Sequence, residues 1–330
     1  MAVYTEVSRD EASALLARLG LGELTGLAGI RSGIENTNYF ADTTQGRYVL
    51  TVFERLTFEQ LPFYLHLMQH LAGRGLPVPC PRADASGAIL HTVHGKPAAV
   101  VDRLRGRHHL APEASDCAQL GAVLARVHLA AADFRMVQPH MRGLAWWQET
   151  APAIAPNLSP EERSLLDAEL AFQQEVGASP AFAALPRGPI HADLFRDNVM
   201  FDAAGDGEAA GTKLTGLFDF YFAGVDTWLF DIAVCLNDWC TDLASGRLDE
   251  PRAAALMSAY DAVRPLHGAE HRLLPALMRA AALRFWISRL WDLHLPRGAT
   301  LLMAHDPTHF ERVLRERIAA PWHAPLPPLP

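Results

Sequence analysis

The stretch that decides the fold runs from residue 189 to residue 201 and reads PIHADLFRDNVMF. Asp193 is followed, after four intervening residues, by Asn198 and then by an apolar run typical of a strand. This spacing suits phosphoryl transfer, because an Asp can accept the proton of an attacking hydroxyl while an Asn oxygen coordinates a metal. Both groups must lie on one rigid loop, since a misplacement of about 1 Å costs about 10²-fold in rate.

A second acidic residue stands at the end of a later apolar run. Residues 214–220 read LTGLFDF, and Asp219 follows the strand-like part. A carboxylate in that place can hold Mg²⁺ on the phosphates of a nucleotide. Taken singly, Asp219 is also compatible with a helix cap, and a His-x-Asp is common in turns. Asp193, Asn198 and Asp219 in this order, after a strand-rich segment, favour a phosphotransferase.

Strand-like and helix-like stretches divide the chain into two parts. Strands are predicted at 27–30, 39–43, 47–53, 89–91 and 98–101. Helices are predicted at 9–19, from Pro62 to about Gly73, and at 113–132, 160–176, 251–264, 270–294 and 307–319. We therefore predict an α+β fold with a small β-rich N-terminal lobe, 1–102, and a larger, mainly helical C-terminal lobe, 103–330. Its last residues, 321–330, form a Pro-rich tail.

Composition argues against several classes of protein. The chain has 29 Lys and Arg against 37 Asp and Glu, a formal net charge of −8, and no basic block. Nucleic acid is therefore not an expected partner. No uncharged apolar stretch approaches the roughly 20 residues of a membrane-spanning helix, and the first residues lack the pattern of a signal peptide. We expect a cytoplasmic protein without a membrane partner, and the sequence does not give its oligomeric state.

Seven segments carry a family resemblance. They are residues 33–40 (GIENTNYF), 47–54 (RYVLTVFE), 61–65 (LPFYL), 191–198 (HADLFRDN), 219–223 (DFYFA), 230–233 (FDIA) and 237–240 (NDWC). With them the chain resembles the aminoglycoside-phosphotransferase-like kinases, a branch of the protein-kinase-like fold, over nearly its whole length. The segments are most similar to the bacterial members that phosphorylate L-homoserine, an early step toward threonine. The resemblance implies a two-lobed protein-kinase-like fold, ATP and Mg²⁺ as cofactors, and L-homoserine as the acceptor.

The resemblance also implies roles for individual residues. Asp193 is expected to be the catalytic base, and His191 and Asp231 are expected to brace its loop. Asn198 and Asp219 are the expected Mg²⁺ ligands.

Nucleotide contacts are expected at two places. The first is the loop over the phosphates, where Gly allows a close backbone approach; its residues are Gly33, Asn36, Thr37 and Asn38. A plain hairpin turn is the alternative interpretation of this loop. The second is the backbone of Val101 and Asp102, where the two lobes are expected to join and the adenine edge to bind.

The acceptor pocket is less well defined by the sequence. An amino-acid acceptor needs a cation for its carboxylate and an acidic or amide group for its ammonium. The candidates are Arg196, Asp197, Tyr221 and Asp238. Arg284 and Arg289 are further cations, but their helical context predicts surface side chains whose stems lie along apolar neighbours.

One position departs from the protein-kinase pattern. Protein kinases carry a phosphate-binding Lys on the third strand, and Thr51 stands at the corresponding place here. A nucleotide-binding pseudokinase is therefore one alternative, although Asp193, Asn198 and Asp219 are all present. The other alternative is a related kinase for a different small alcohol, such as an aminoglycoside, choline or methylthioribose, because these enzymes share the catalytic loop.

Overall fold

The computed structural model describes residues 4–30, 36–203, 212–295 and 305–325. The N-terminal elements are α1 (Arg9–Arg18), β1 (Leu24–Gly29), β2 (Asn36–Thr43), β3 (Arg47–Phe53), α2 (Leu61–Gly73), β4 (His91–Val93) and β5 (Lys96–Asp102). They are followed by α3 (Ala114–Ala131), α4 (Leu144–Ile154), α5 (Pro160–Ala178), α6 (Pro180–Ala183), β6 (Arg187–Ile190), β7 (Val199–Ala203), β8 (Thr212–Leu217), β9 (Gly224–Thr227), α7 (Trp228–Trp239), α8 (Glu250–Val263), α9 (Gly268–His294) and α10 (Thr308–Ala319).

The N-terminal strands form a five-stranded antiparallel sheet in the order β1-β2-β3-β5-β4. Side chains alternate between its two faces, as the strand repeat of two requires. Tyr39, Leu50 and Val52 lie on one face and form a small core with α1. Phe53 and Val101 lie on the other face, in the large core that α2 and the C-terminal helices share. This second face is therefore turned toward the C-terminal lobe.

Local signals account for the helices of this lobe. Ser8 caps α1, because its side chain accepts a hydrogen bond from the amide of Glu11 and the Glu11 carboxylate accepts one from the amide of Ser8. In α2, Pro62 lies in the first turn, where its missing N–H costs nothing. Both predicted helices are confirmed within two residues at each end.

The C-terminal lobe holds most of the helices and two small antiparallel hairpins, β6–β9 and β7–β8. Helices α3, α5, α8, α9 and α10 agree with the predicted ranges. Helices α4, α6 and α7 were not predicted from periodicity. Every residue of α7 is buried, so this helix has no polar face from which a repeat of 3.6 could be read.

Two further predictions, the position of the lobe boundary and the absence of a membrane-spanning helix, can be compared with the observed helices and strands. Strand β5 ends at Asp102, where the sequence places the end of the N-terminal lobe; the division at 102/103 itself stays a prediction. Among the described residues, no helix has the length and apolar character needed to cross a membrane. The tail 321–330 lies partly outside the described residues.

Candidate active site

The loop between β6 and β7 carries the predicted catalytic residues, and the His191 ring links it to a neighbouring strand. Nδ1 of His191 accepts a hydrogen bond from the Asp193 amide at 3.3 Å, and Nε2 donates to the Phe218 carbonyl at 2.9 Å. These two bonds specify the neutral ring with its proton on Nε2. Burial lowers the pKa of His191, which favours the same neutral form. The ring thus ties the loop to the residue that precedes Asp219.

Asp231, in the first turn of α7, holds the same loop through its backbone. Its two carboxylate oxygens accept hydrogen bonds from the amides of His191 and Ala192, each at 2.8 Å. Ala192 has φ of 64°, a left-handed conformation that costs a non-glycine residue about 1–2 kcal/mol. Burial opposes the charge on Asp231, but the hydrogen bonds outweigh it and keep the pKa below the ordinary value. Asp231 therefore stabilises the strained residue next to Asp193.

A buried hydrogen-bonded chain stands behind Asp231. His128 of α3 donates from Nε2 to Asp231 at 3.0 Å, and its Nδ1 accepts from the Tyr260 hydroxyl at 2.7 Å. The hydroxyl accepts in turn from Nε of Arg264 at 2.8 Å, and Arg264 is paired with Glu270. Burial lowers the pKa of His128 and keeps its ring neutral. The sequence interpretation missed His128; the one signal for it is a polar residue on the apolar face of α3.

Of the two predicted metal ligands, Asn198 lies beside the predicted base, and Asp219 follows the residue that is hydrogen-bonded to Asn198. Nδ2 of Asn198 donates to the Asp193 carbonyl at 2.8 Å, so the amide oxygen is the end available to a cation. The Phe218 amide donates to the Asn198 carbonyl at 3.1 Å, which brings the end of β8 against the loop. Asp219 follows with φ of 66°, another strained position of the kind that concentrates at functional sites.

The oxygen donors of Asn198 and Asp219 suit Mg²⁺, a hard cation. The described residues hold no group of three or more His, Cys, Asp and Glu arranged to bind a metal by themselves. Mg²⁺ in kinases needs only one or two protein ligands, since nucleotide phosphates and waters supply the rest. The pair therefore fits a metal that arrives with a nucleotide.

The nucleotide-loop residues divide between the two faces of the sheet. Gly33 lies outside the described residues. Asn38 shares the face turned toward the C-terminal lobe with Thr51, whose hydroxyl donates to Oδ1 of Asn38 at 2.7 Å. Thr37 lies on the opposite face, fully buried, and its hydroxyl donates to Glu54 at 2.6 Å. The prediction that Thr37 contacts the nucleotide is therefore corrected for its side chain, because the alternation of β2 turns it away.

Asn36 and the end of β5 complete the predicted nucleotide residues. Asn36 opens β2 on the same face as Asn38. The Asp102 amide donates to the Cys80 carbonyl at 3.2 Å, and its carboxylate accepts from Nε of Arg82 at 2.7 Å. Because the Asp102 amide is engaged, a backbone contact with adenine at this residue would use its carbonyl. Val101 is paired in the sheet with Val49, and its contact with adenine stays a prediction.

Two of the predicted acceptor residues bind each other. Nε of Arg196 donates to the Asp238 carboxylate at 3.1 Å, and the Arg196 amide donates to the same carboxylate at 2.8 Å. Arg196 also donates to the carbonyls of Leu110 and Asp238. Both side chains are buried, and burial raises the pKa of Asp238 despite its partner. This geometry favours a role in holding the loop on α7 over the predicted contact with the acceptor.

The other two acceptor candidates differ in exposure. Tyr221 packs edge-on against Phe53 of β3 and Tyr64 of α2, with ring centroids 5.0 and 6.0 Å away. It therefore joins the segment after Asp219 to the N-terminal lobe, and burial raises the pKa of its hydroxyl. Asp197 is exposed at the surface of the loop and stays a candidate.

Arg284 is a correction to the prediction of a surface side chain. Its side chain is 3% exposed, and Nη1 lies 3.8 Å from Oδ1 of Asp193. The guanidinium stacks on the rings of Phe222 and Phe285 at 5.0 and 3.8 Å. Arg289, five residues further along α9, donates to the Asp306 carbonyl at 3.0 Å. Helical periodicity misplaced Arg284 because every residue of α9 from 280 to 287 is buried, so this part of the helix has no exposed face.

Comparison with known proteins identifies the family. A model of the phosphotransferase enzyme family matches residues 26–266. The homoserine kinase of Polaromonas naphthalenivorans is 63% identical, covering 98% of this chain and 99% of that protein. The homoserine kinase of Burkholderia ambifaria is 54% identical, covering 99% and 98%.

Solved structures show the same fold at low identity. An amicoumacin kinase in complex with AMP-PNP superposes with a TM-score of 0.67 at 16% identity, over 94% of this chain and 92% of that one. A spectinomycin phosphotransferase in complex with ADP and spectinomycin gives 0.64 at 13% identity, over 96% and 99%. The predicted two-lobed, aminoglycoside-phosphotransferase-like fold is thereby confirmed. From the family model and the similarity to homoserine kinases, the chain belongs to the phosphotransferase enzyme family.

Proposed function

We propose that the protein is an ATP-dependent kinase that phosphorylates the side-chain hydroxyl of L-homoserine, giving O-phospho-L-homoserine for threonine biosynthesis. The observation that carries this proposal is the 63% identity to a homoserine kinase over 98% of the chain. The solved kinases of the same fold act, by their names, on several other alcohols at identities of 16% or less. The fold therefore supports the reaction class, and the high-identity relatives support the acceptor.

The loop geometry suits Asp193 to the role of base. Its amide and carbonyl are both held, by His191 and Asn198 respectively, while its carboxylate is partly exposed. In the reaction the acceptor oxygen forms a bond to the γ-phosphorus as the bond from that phosphorus to the β,γ-bridging oxygen breaks. The hydroxyl proton passes to Asp193, and ADP leaves with the electrons of the broken bond. A fixed loop matters because such catalysis depends mainly on position.

Asn198 and Asp219 are the residues that would hold Mg²⁺, and the bound ion would neutralise charge on the phosphates. For the nucleotide, we assign Asn36 and Asn38 to its phosphates and the backbone of Val101 and Asp102 to its adenine. These assignments rest on the face of the sheet that the residues share and on the end of β5. Thr51 bears no charge, so positive charge at the phosphates has to come from elsewhere.

The direct test is release of ADP in a coupled assay with Mg-ATP. L-homoserine, choline and an aminoglycoside are compared as acceptors, and Asp193→Asn is tested beside Asp202→Asn, an exposed carboxylate of β7. We expect turnover with L-homoserine, a fall of about 10²–10⁴-fold in Asp193→Asn, and no change in Asp202→Asn.

The other outcomes separate the alternatives. Turnover with choline or the aminoglycoside but not with L-homoserine would keep the reaction class and reject the proposed acceptor. Nucleotide binding without turnover on any acceptor would reject the enzyme and support a pseudokinase.

A further inference from the structure

Arg284 brings a buried positive charge to the catalytic loop from outside the part of the chain that defines the family. The family model ends at residue 266, whereas Arg284 lies on α9. The homoserine kinases match 96% or more of the chain and so include this helix. Residues that serve the shared chemistry are expected within 26–266, and residues that distinguish the acceptor can lie beyond it.

The distance between Arg284 and Asp193 differs from those of the buried ion pairs nearby. On the same helix, Nε of Arg279 lies 3.0 Å from Oε2 of Glu169, a hydrogen-bonded pair. Nη1 of Arg284 lies 3.8 Å from Oδ1 of Asp193, which is beyond the 2.7–3.2 Å range for N–H···O bonds. Asp193 and Arg284 therefore form a longer ion pair than Glu169 and Arg279 do.

Two aromatic rings hold the Arg284 guanidinium in place. It stacks on Phe222, three residues after Asp219, and on Phe285 of its own helix. Cation–π stacking on two rings limits its movement. The charge is thereby held between the proposed base and the segment that follows the proposed metal ligand.

The chemistry of the proposed acceptor matches this position. L-homoserine has a carboxylate that choline and simple amino alcohols lack, and the planar fork of Arg suits a carboxylate. With bonds of about 1.5 Å, its hydroxyl and carboxylate are separated by at most about 5 Å. An acceptor whose hydroxyl contacts Asp193 can therefore place its carboxylate against Arg284.

We propose that Arg284 is a specificity-determining residue that binds the carboxylate of the amino-acid acceptor while Asp193 receives the hydroxyl. This inference rests on the proposed function, because it assumes an acceptor with a carboxylate. It assigns recognition of the acceptor to α9.

The experiment compares acceptor analogues that differ in one group. The variants are Arg284→Gln and Arg284→Lys, with Arg272→Gln as the control, since Arg272 is an exposed residue of the same helix. The assay measures kcat and KM for L-homoserine, and inhibition constants for L-2-aminobutyrate, which keeps the carboxylate, and for 3-amino-1-propanol, which lacks it.

We expect Arg284→Gln to lower kcat/KM for L-homoserine and to weaken L-2-aminobutyrate by about 10–100-fold, the range for a charged hydrogen bond. Inhibition by 3-amino-1-propanol should change less than about 3-fold, within the scatter of such differences. Arg284→Lys keeps the charge and loses the fork, so its loss should be intermediate. This second variant keeps the test valid if Arg284→Gln does not fold.

Two results would overturn the inference. One is an equal weakening of both inhibitors, which would make Arg284 a support of the loop; the other is unchanged inhibition by L-2-aminobutyrate. Failure of the proposed function looks different, because the wild-type protein would then not phosphorylate L-homoserine.

Discussion

In the C-terminal lobe, the loop that bears Asp193 is held by Asp231 and His191, both buried, whereas the face of the N-terminal sheet turned toward that lobe presents the neutral pair Asn38 and Thr51. On the first side, a buried carboxylate and a strained backbone residue fix the position of the loop. On the second side, the Thr51 and Asn38 side chains, both uncharged, share one hydrogen bond. We therefore expect the first side, called the rigid side below, to be held in place by the protein itself, and the second, the neutral side, to depend more on contacts with a bound nucleotide.

The largest expected effect comes from weakening the rigid side with Asp231→Asn. An amide can accept only one of the two loop hydrogen bonds and turns a donor toward the other. We expect kcat to fall about 10²–10³-fold through misplacement of Asp193, and the free energy of unfolding to fall by about 3 kcal/mol. Coupled ADP release and urea unfolding measure the two quantities.

Asp292→Asn provides the matched control for this substitution, because Asp292 is an exposed residue near the end of α9. It should change neither quantity. Wild-type turnover in Asp231→Asn would show that the loop keeps its shape without this carboxylate, and the contrast between the two sides would fail.

The next largest effect is expected for the hydrogen-bonded series of side chains that supports Asp231. Tyr260→Phe removes the hydroxyl between Nδ1 of His128 and Nε of Arg264, leaving two buried polar atoms without that partner. We expect a loss of about 2 kcal/mol in the free energy of unfolding, measured in urea. The loss in kcat should be smaller than for Asp231→Asn, since the loop contacts remain. An unchanged free energy of unfolding would mean that these hydrogen bonds do not stabilise the rigid side.

The pH dependence of the free energy of unfolding tests the two buried histidine rings, His128 and His191. Burial lowers the pKa values of His128 and His191 in the folded protein, so below about pH 6.5 the unfolded chain takes up protons that the folded protein does not. Stability should therefore fall as the pH decreases below about 6.5, by up to about 1.4 kcal/mol per pH unit for each ring.

Urea unfolding of the wild type and of His128→Gln at pH 7.5, 6.5 and 5.5 checks this expectation. Below about pH 6.5, the free energy of unfolding of the variant should fall less steeply with decreasing pH than that of the wild type, by up to about 1.4 kcal/mol per pH unit, whatever its absolute stability. Equal slopes in the two proteins would mean that His128 titrates normally when folded.

The smallest effect is expected on the neutral side. Thr51→Val removes the hydroxyl that donates to Asn38, whose side chain is partly exposed and can bond to water instead. We expect KM for ATP to change less than about 3-fold, which corresponds to about 0.6 kcal/mol. Steady-state kinetics with varied ATP measure it. A rise of 30-fold or more would place Thr51 in phosphate binding and remove the contrast.

The sequence predicted the elements that local signals define. Strand β3 was predicted with its observed bounds, and α10 within one residue, because alternation and helical periodicity are visible in neighbouring residues. Helix α7 was not predicted as such, since burial on all sides removes the period. Thr37 was assigned to the nucleotide because it lies next to Asn36 and Asn38, yet the pleat of β2 turns its side chain to the other face.

By itself, the sequence determined the two-lobed fold, the family and the spacing of Asp193, Asn198 and Asp219, because these are properties of short segments and of their order along the chain. Only the tertiary structure decided that His128 supports Asp231, that Arg196 and Asp238 bind each other, and that Arg284 lies beside Asp193. These contacts join residues about 40 to 100 positions apart. The way the helices pack brings them together, and no local pattern of residues records that packing.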